Sequence, residues 1–206
     1  MPQQSILILF AHPAYQKSRA NRHLVDIVSD IESVTFHDLY EEYPDYHVDV
    51  RREQQLLVDH DIIVFQHPLY WYSCPALLKE WLDLVLEHGF AYGDASALRG
   101  KCLFTAITTG GGSEAYTRAG FNRHTIHELL APFRQTANFC DMEYLPPFVV
   151  HGTVQNPDEG RYRQRAEDYR EALIGLRDGT LSFLNLDAEA YMNDALPKQE
   201  SDSHGR

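Results

Sequence analysis

Cysteine is scarce in this chain: of 206 residues, only Cys74, Cys102 and Cys140 carry a thiol. Their odd number and wide spacing, with no C-x-x-C, exclude a disulfide framework and argue against a thiolate metal site. Such usage is expected of a soluble protein of the reducing cytoplasm. The 11 histidines include no H-x-x-x-H or H-E-x-x-H pair, so zinc-enzyme spacing is missing too. Runs of positive charge are absent. Lys and Arg number 18 against 30 Asp and Glu, for a net charge of −12. Neither nucleic acid nor an anionic membrane surface would find the clustered cations it needs. No apolar run approaches the roughly 20 residues of a bilayer-spanning helix. Met1-Pro2-Gln3-Gln4-Ser5 lacks a basic n-region, so no signal peptide is expected. Also missing are G-x-x-x-x-G-K-[ST] and, after the first strand, G-x-G-x-x-G, which excludes a nucleoside-triphosphate loop and the dinucleotide fingerprint.

What is present is an alternation. Apolar runs of strand length are expected at 5–10, 33–37, 61–67, 101–108 and 136–142, and helical periods at 18–30, 51–59, 75–87, 122–132 and 158–177. Such alternation predicts one α/β domain over 1–178, with a parallel sheet covered by helices on both faces. The strand order 2-1-3-4-5 is expected, with the poorer Val34-Thr35-Phe36-His37 at an edge. Tyr40 to His47 reads as a surface loop, and Ala76 to Leu86, apolar nearly all round, as a helix buried on more than one side. Residues 179–206 form a C-terminal extension. Within it Leu181 to Met192 is expected to make one docked turn or short helix, and Pro197 to Arg206 to be disordered.

That strand order sets the ends of strands 1, 3 and 4 side by side, where open α/β sheets bind ligands. The first end carries His12 and then Ser18-Arg19-Ala20-Asn21, where a helix begins. Free amides and the dipole there suit a phosphate, although Ser18 serves equally as a plain N-cap. The second carries His67 and Pro68-Leu69-Tyr70-Trp71-Tyr72, aromatics that act either as a core lid or as a stacking surface for a planar ligand. The third, Thr108-Thr109-Gly110-Gly111-Gly112, offers hydroxyls and backbone donors, with Tyr116 close behind. It is either an ordinary glycine turn or a cradle for a ring edge that gains negative charge. His12 and His67 are poor metal candidates without a nearby carboxylate or thiolate, and His67 is equally a structural histidine. Cys74 lacks an activating partner and reads as a small buried hydrophobe. Together the three ends point to one flat, phosphorylated ligand.

Ala11-His12-Pro13, Ser18-x-x-Asn21, Gln66 to Tyr72 and Thr108-Thr109-Gly110-Gly111 resemble the NAD(P)H:quinone oxidoreductase (DT-diaphorase-like) flavoprotein family. His37-Asp38-Leu39-Tyr40, Tyr43-Pro44-Asp45, Cys74 to Trp81 and Leu145-Pro146-Pro147-Phe148 are similar to its bacterial branch, the ancillary proteins of glutathione-gated potassium-efflux antiporters. The resemblance spans roughly 5–175 and implies a flavodoxin-like homodimer with FMN, rather than FAD, near the subunit interface. It implies ping-pong chemistry in which NAD(P)H reduces the flavin and a quinone or other small electrophile reoxidises it. An alternative role is regulatory, docked on the cytoplasmic face of the antiporter and peripheral to the inner membrane. By resemblance Ser18, Arg19, Ala20 and Asn21 hold the ribityl phosphate beside His12. Pro68, Leu69, Tyr70 and Trp71 line the ring, and Thr108, Thr109, Gly110 and Gly111 meet its polar edge. Tyr116 handles charge on the reduced ring, and Phe90-Ala91-Tyr92 helps form the substrate pocket across the dimer. Relatives place a histidine where Asn122 stands here, with His124 close by, so a tyrosine–histidine relay is in doubt. A plain one-electron flavodoxin is disfavoured by the aromatic loop 66–72 and by the Phe90 to Tyr92 segment.

Overall fold

The computed structural model describes residues 3–94, 96–155, 157–184 and 186–197, so the disorder expected for 198–206 falls outside the described residues. Strands Ile6–Phe10 (β1), Val34–Asp38 (β2), Ile62–Pro68 (β3) and Cys102–Thr108 (β4) form where expected. All pair in parallel in the order β2-β1-β3-β4. The fifth position is shared. Glu143–Tyr144 (β5) pairs with Cys102 and Leu103, and Phe148–Val150 (β6) pairs with Ala106, Ile107 and Thr108. Between them Pro146 and Pro147 have no N–H to give the ladder, which splits the strand. The order 2-1-3-4-5 and the flavodoxin-like α/β class therefore stand, with the last strand in two pieces.

The strand expected at 136–142 is a helix. Ala131–Phe139 (α6) turns Phe133 and Ala137, four residues apart, and then Cys140 into the core, and Pro132 suits its first turn. The helix expected at 122–132 shrinks to Ile126–Leu129 (α5), opened by a capping box between Thr125 and Glu128. Tyr40 to His47 is not simply a surface loop. Leu39–Glu42 (α2) makes one turn capped by the Asp38 carboxylate, and Tyr43 beyond it is buried at 4% exposure.

Alternate residues of each strand feed two cores. On one face Ile6, Ile8, Val64 and Phe104 meet Leu24 of Arg19–Asp26 (α1) and Tyr162, Tyr169 and Leu173 of Glu159–Arg177 (α7). On the other Leu7, Leu9, Ile63, Phe65 and Leu103 meet Leu57 of Val50–Asp59 (α3), Trp81 of Ala76–Val85 (α4) and Phe133. Glu53 of α3 is fully buried there and ties the face together. It accepts from the Tyr43 hydroxyl (2.6 Å), the Trp81 indole N–H (2.7 Å) and His37 Nε2 (2.8 Å). α4 is buried on one side only within this chain. Leu77, Leu78, Trp81 and Val85 point inward, while Leu84 is 38% exposed and Leu82 and Leu86 line a second groove of about 570 Å³. The extension docks through a short 3-10 turn at Met192–Ala195, just past the Leu181 to Met192 stretch expected to make a turn or short helix, with Met192 buried.

Candidate functional site

The carboxyl ends of β1, β3 and β4 enclose a cleft of about 970 Å³. Of the residues expected at a cofactor, His12, Ser18, Arg19, Ala20, Pro68, Leu69, Tyr70, Trp71, Thr108, Gly110 and Gly111 line it, as does Tyr116. Asn21 and Thr109 lie immediately behind the wall and shape it.

After β1, His12 is buried at 5% exposure and its Nδ1 accepts the Ala14 N–H at 3.1 Å. The proton therefore sits on Nε2, and burial keeps the ring's pKa below the usual histidine value, so His12 is a neutral donor. Ser18 is the N-cap of α1. Its Oγ accepts from the Asn21 amide N–H (3.2 Å) and from Asn21 Nδ2 (3.0 Å), which frees the Ser18 hydroxyl proton for an acceptor in the cleft. Asn21 Nδ2 also reaches Thr108 Oγ1 at 3.1 Å, latching the first loop to β4. Its Oδ1 is buried without a partner, a polar atom left over at the base of the helix N-terminus. Lys17 lines the same mouth.

After β3, Leu69 is held by its N–H to the Thr108 carbonyl at 2.8 Å. Tyr70 to Ser73 then form a tight turn closed by the Ser73 N–H on the Tyr70 carbonyl at 3.0 Å. Its central residues, Trp71 and Tyr72, have φ of +49° and +64°, values that normally select glycine or asparagine. Two aromatics in that conformation store strain of about 1–3 kcal/mol each. The turn lifts Trp71 to 93% exposure at the edge of the cleft. A core lid would be covered; this one projects a bare indole and so fits the stacking role.

After β4, the glycine loop turns its carbonyls backward. The Gly111 carbonyl accepts from the Gly152 N–H (2.7 Å) and the Thr109 hydroxyl (2.9 Å), and the Gly110 carbonyl from the N–H groups of Val154 and Gln155 (both 3.2 Å). The N–H groups of Gly110 and Gly111 donate no hydrogen bond among the described residues, although the Gly111 backbone lies close enough to the Tyr116 phenol to lower its pKa. Neither glycine has a positive φ, so what matters here is space. A Cβ on Gly111 would lie 3.5 Å from the Tyr116 ring and 3.4 Å from the Ala115 methyl.

Tyr116, 8% exposed, forms the back of the cleft. Burial pushes its phenol above the ordinary value, an effect that Thr109, the Gly111 backbone and Asn122 partly offset. Asn122 stays at the cleft, where its Oδ1 accepts from the Tyr72 hydroxyl at 3.2 Å. His124 is exposed, with its Nδ1 3.0 Å from the Asn122 carbonyl, and does not line the cleft. It does not replace the histidine of relatives. Tyr92 is not brought to this cleft. It packs on Phe139 at 4.7 Å between ring centroids, along the second groove beside α4. His67 is fully buried with its Nδ1 3.0 Å from the Pro68 carbonyl, and burial pushes its pKa down to about 4, so its role is structural. Burial raises the Cys74 thiol's pKa, which disfavours the thiolate that a nucleophile needs. No cluster of three metal-ligating side chains exists among the described residues.

Contributors not singled out from sequence include Lys17 before α1, Thr153, Val154 and Gln155 in the loop after β6, and Phe121, 89% exposed. Thr153, Val154 and Gln155 follow from placing the last strand correctly, because the loop after 148–150 is a fourth strand end at the same edge of the sheet. Phe121 carried no signal beyond being an aromatic in a loop.

Comparison with known proteins agrees with this geometry. A family described as having a flavodoxin-like fold matches residues 4–173. The glutathione-regulated potassium-efflux system ancillary protein KefG of Serratia proteamaculans is 53% identical over 147 residues, covering 71% of this chain and 80% of that protein. General stress protein 14 of Treponema denticola, solved in complex with FMN, superposes with a TM-score of 0.80 at 37% identity over 84% of this chain and 99% of that one. An NADPH-quinone reductase of P. pentosaceus gives 0.74 at 34% identity over 81% and 96%. A chain described as a thermophilic tryptophan halogenase from Streptomycin violaceusniger gives 0.77 at 46% over 80% and 96%. Reaction must therefore be argued from the site and not from the fold. Among the described residues no helix is long and apolar enough to cross a membrane. The chain belongs to the flavodoxin-like NAD(P)H:quinone oxidoreductase family, in the branch of the glutathione-regulated potassium-efflux ancillary proteins.

Proposed function

We propose that this chain binds FMN in the cleft and reduces quinones or related small electrophiles with NAD(P)H, two electrons at a time. One observation carries the reading. A capped helix N-terminus, a strained exposed indole and two unpaired glycine N–H groups converge on a single cleft of about 970 Å³, at the upper end of the usual ligand-site range. Each matches one part of a flavin mononucleotide: phosphate, ring face and polar ring edge.

Ser18 and the N–H groups of Arg19 and Ala20, which have no intrahelical acceptor, would hold the phosphate. His12 Nε2–H and the Lys17 ammonium stand beside them, and Asn21 fixes Ser18 against β4. Tyr70 and Trp71 would cover the ring. Bound FMN would supply the redox chemistry, taking two electrons from the nicotinamide and passing them to the acceptor. The Gly110 and Gly111 N–H groups would meet the negative charge that gathers at the ring edge, and being backbone donors they would need no reorganisation to do so. Tyr116 stays protonated at neutral pH and would hold a proton beside that edge. With Asn122 in place of a histidine, no second titratable group stands behind Tyr116 at that position.

Steady-state kinetics test this reading. Double-reciprocal plots for NAD(P)H against a soluble quinone should be parallel, as ping-pong exchange through one cleft requires. Intersecting lines, or no turnover with FMN present, would overturn it.

A second reading has its own support in the KefG relative. The chain would serve as an ancillary subunit of a potassium-efflux antiporter, held at the membrane by that partner, with catalysis secondary. The groove beside α4, lined by Leu82, Leu86, Tyr92 and Phe139 together with Lys79 and Asp83, fits a homodimer contact that would bring Tyr92 toward a partner's cleft. Co-purification with the antiporter's cytoplasmic domain, without fast quinone turnover, would favour the regulatory role.

A further inference from the structure

The family match ends at residue 173, yet the chain beyond it returns to the sheet. The Met192 N–H donates to the Pro147 carbonyl at 2.9 Å. The Asn193 amide then pairs with both backbone groups of Val149: Oδ1 accepts the Val149 N–H at 2.9 Å, and Nδ2 donates to its carbonyl at 3.2 Å. A side chain thereby completes the ladder along the open edge of β6. Just before this clasp lies Tyr191. Its ring stacks on His127 at 5.6 Å and 13°, and its other neighbour is His151, 5.7 Å away.

His151 reaches the cofactor loop. Its Nδ1 is 3.1 Å from Thr109 Oγ1, and the Thr109 hydroxyl donates to the Gly111 carbonyl at 2.9 Å. That hydroxyl proton is therefore committed to Gly111, so the bond to His151 runs from Nδ1–H to Oγ1. Nε2 is left unprotonated and buried without a partner. The ring also packs on Tyr116 at 5.7 Å. Burial pushes the His151 pKa down to about 4, which agrees with a neutral ring in this tautomer.

We propose that the C-terminal extension backs the cofactor cleft: Tyr191, itself stacked on His127, packs on the His151 imidazole, which also meets Tyr116, and His151, through Thr109, holds the Gly110 and Gly111 N–H groups aimed at the bound ring edge. His151 and Tyr191 are positioning residues in this scheme. The inference rests on FMN occupying the cleft.

The test uses the full-length chain, wild type and the variants His151→Phe, His151→Asn and Tyr191→Ala. Each apoprotein is titrated with FMN by flavin fluorescence, and the spectrum and midpoint potential of the bound flavin are recorded. His151→Phe and Tyr191→Ala should weaken FMN binding about tenfold, the worth of one well-made hydrogen bond. They should also make the potential more negative, because misdirected donors stabilise the reduced ring less. His151→Asn should recover most of both, because its amide stands where Nδ1 stood. Partial unfolding would lower apparent affinity but leave the bound flavin's spectrum and potential unchanged. Affinity loss without a shift in potential, or no recovery by asparagine, would reduce the extension to a structural clasp and overturn the proposal. Wild-type chain that fails to bind FMN would overturn the flavin reading itself, and this inference with it.

Discussion

Glu53 offers the sharpest test of how this fold is held. The carboxylate is fully buried and accepts three hydrogen bonds, from His37, Tyr43 and Trp81, which sit on β2, beyond α2 and on α4. Burial alone would raise its pKa, but the bonds from His37, Tyr43 and Trp81 hold it below the ordinary value, so the group is ionised in the fold. Glu53→Leu keeps the packing volume and strips all three donors of their acceptor. At about 1–3 kcal/mol for each buried donor left unpaired, the loss is roughly 3–9 kcal/mol, comparable to the whole stability of a typical domain. Glu53→Gln keeps an acceptor oxygen and adds an amide that Tyr43 can accept from, so the cost falls to about 1–2 kcal/mol for the lost charge assistance. At about 2–4 °C per kcal/mol for a chain of this size, thermal unfolding followed by circular dichroism should place glutamine a few degrees below wild type and leucine at least about six degrees below. Leucine within a few degrees of wild type, or equal loss for both, would refute the reasoning.

Other outcomes follow from the same structure. Burial holds His67 near pKa 4 while the unfolded chain's histidine titrates near the ordinary 6.5. The unfolded state therefore binds more protons between those values, and stability is full above about pH 6.5 and falls toward pH 4. His67's share lost by pH 5 is about 2 kcal/mol, and His67→Asn should remove that share of the drop in urea midpoint while His151 keeps a drop of its own. Gly111→Val adds a branched side chain facing Tyr116 and Ala115, and should weaken FMN binding by about tenfold or more. Unchanged flavin content would remove the glycine loop from the site. Tyr116→Phe should slow quinone reduction more than it weakens FMN binding, and equal turnover would remove the hydroxyl from the chemistry. Trp71→Asn relieves the left-handed strain and should leave stability equal or up to about 1 kcal/mol higher, while loosening ring binding. A less stable variant would show that the turn is not strained.

Much of this was legible in the chain because strand ends advertise their chemistry. β1, β3 and β4 are continuous apolar runs, and each breaks into a distinct residue type: a capping serine, a pair of aromatics, three glycines. The last strand was not legible. Its two short pieces are divided by Pro146 and Pro147, while Thr136 to Met142 mimics a strand although Phe133, Ala137 and Cys140 follow a helical period. Misplacing it hid the loop from His151 to Gln155, and with it the part of the cleft wall made by Thr153, Val154 and Gln155. Glu53 was invisible for another reason: an acid in the first turn of a helix reads as a solvated N-terminal charge, and its three donors are distant in sequence. Tyr92 rested on resemblance alone, and a single chain leaves it in the second groove. Tyr191 carried no local pattern, because its partners His127 and His151 meet it only through the tertiary fold.

The most direct measurement is an absorption spectrum of the purified protein, followed by anaerobic addition of NADPH and then a quinone. The expected result is a two-banded flavin spectrum that bleaches on adding NADPH and returns with the quinone. A colourless protein that takes up no added FMN would contradict it, and would leave the cleft as a structural remnant on a binding subunit.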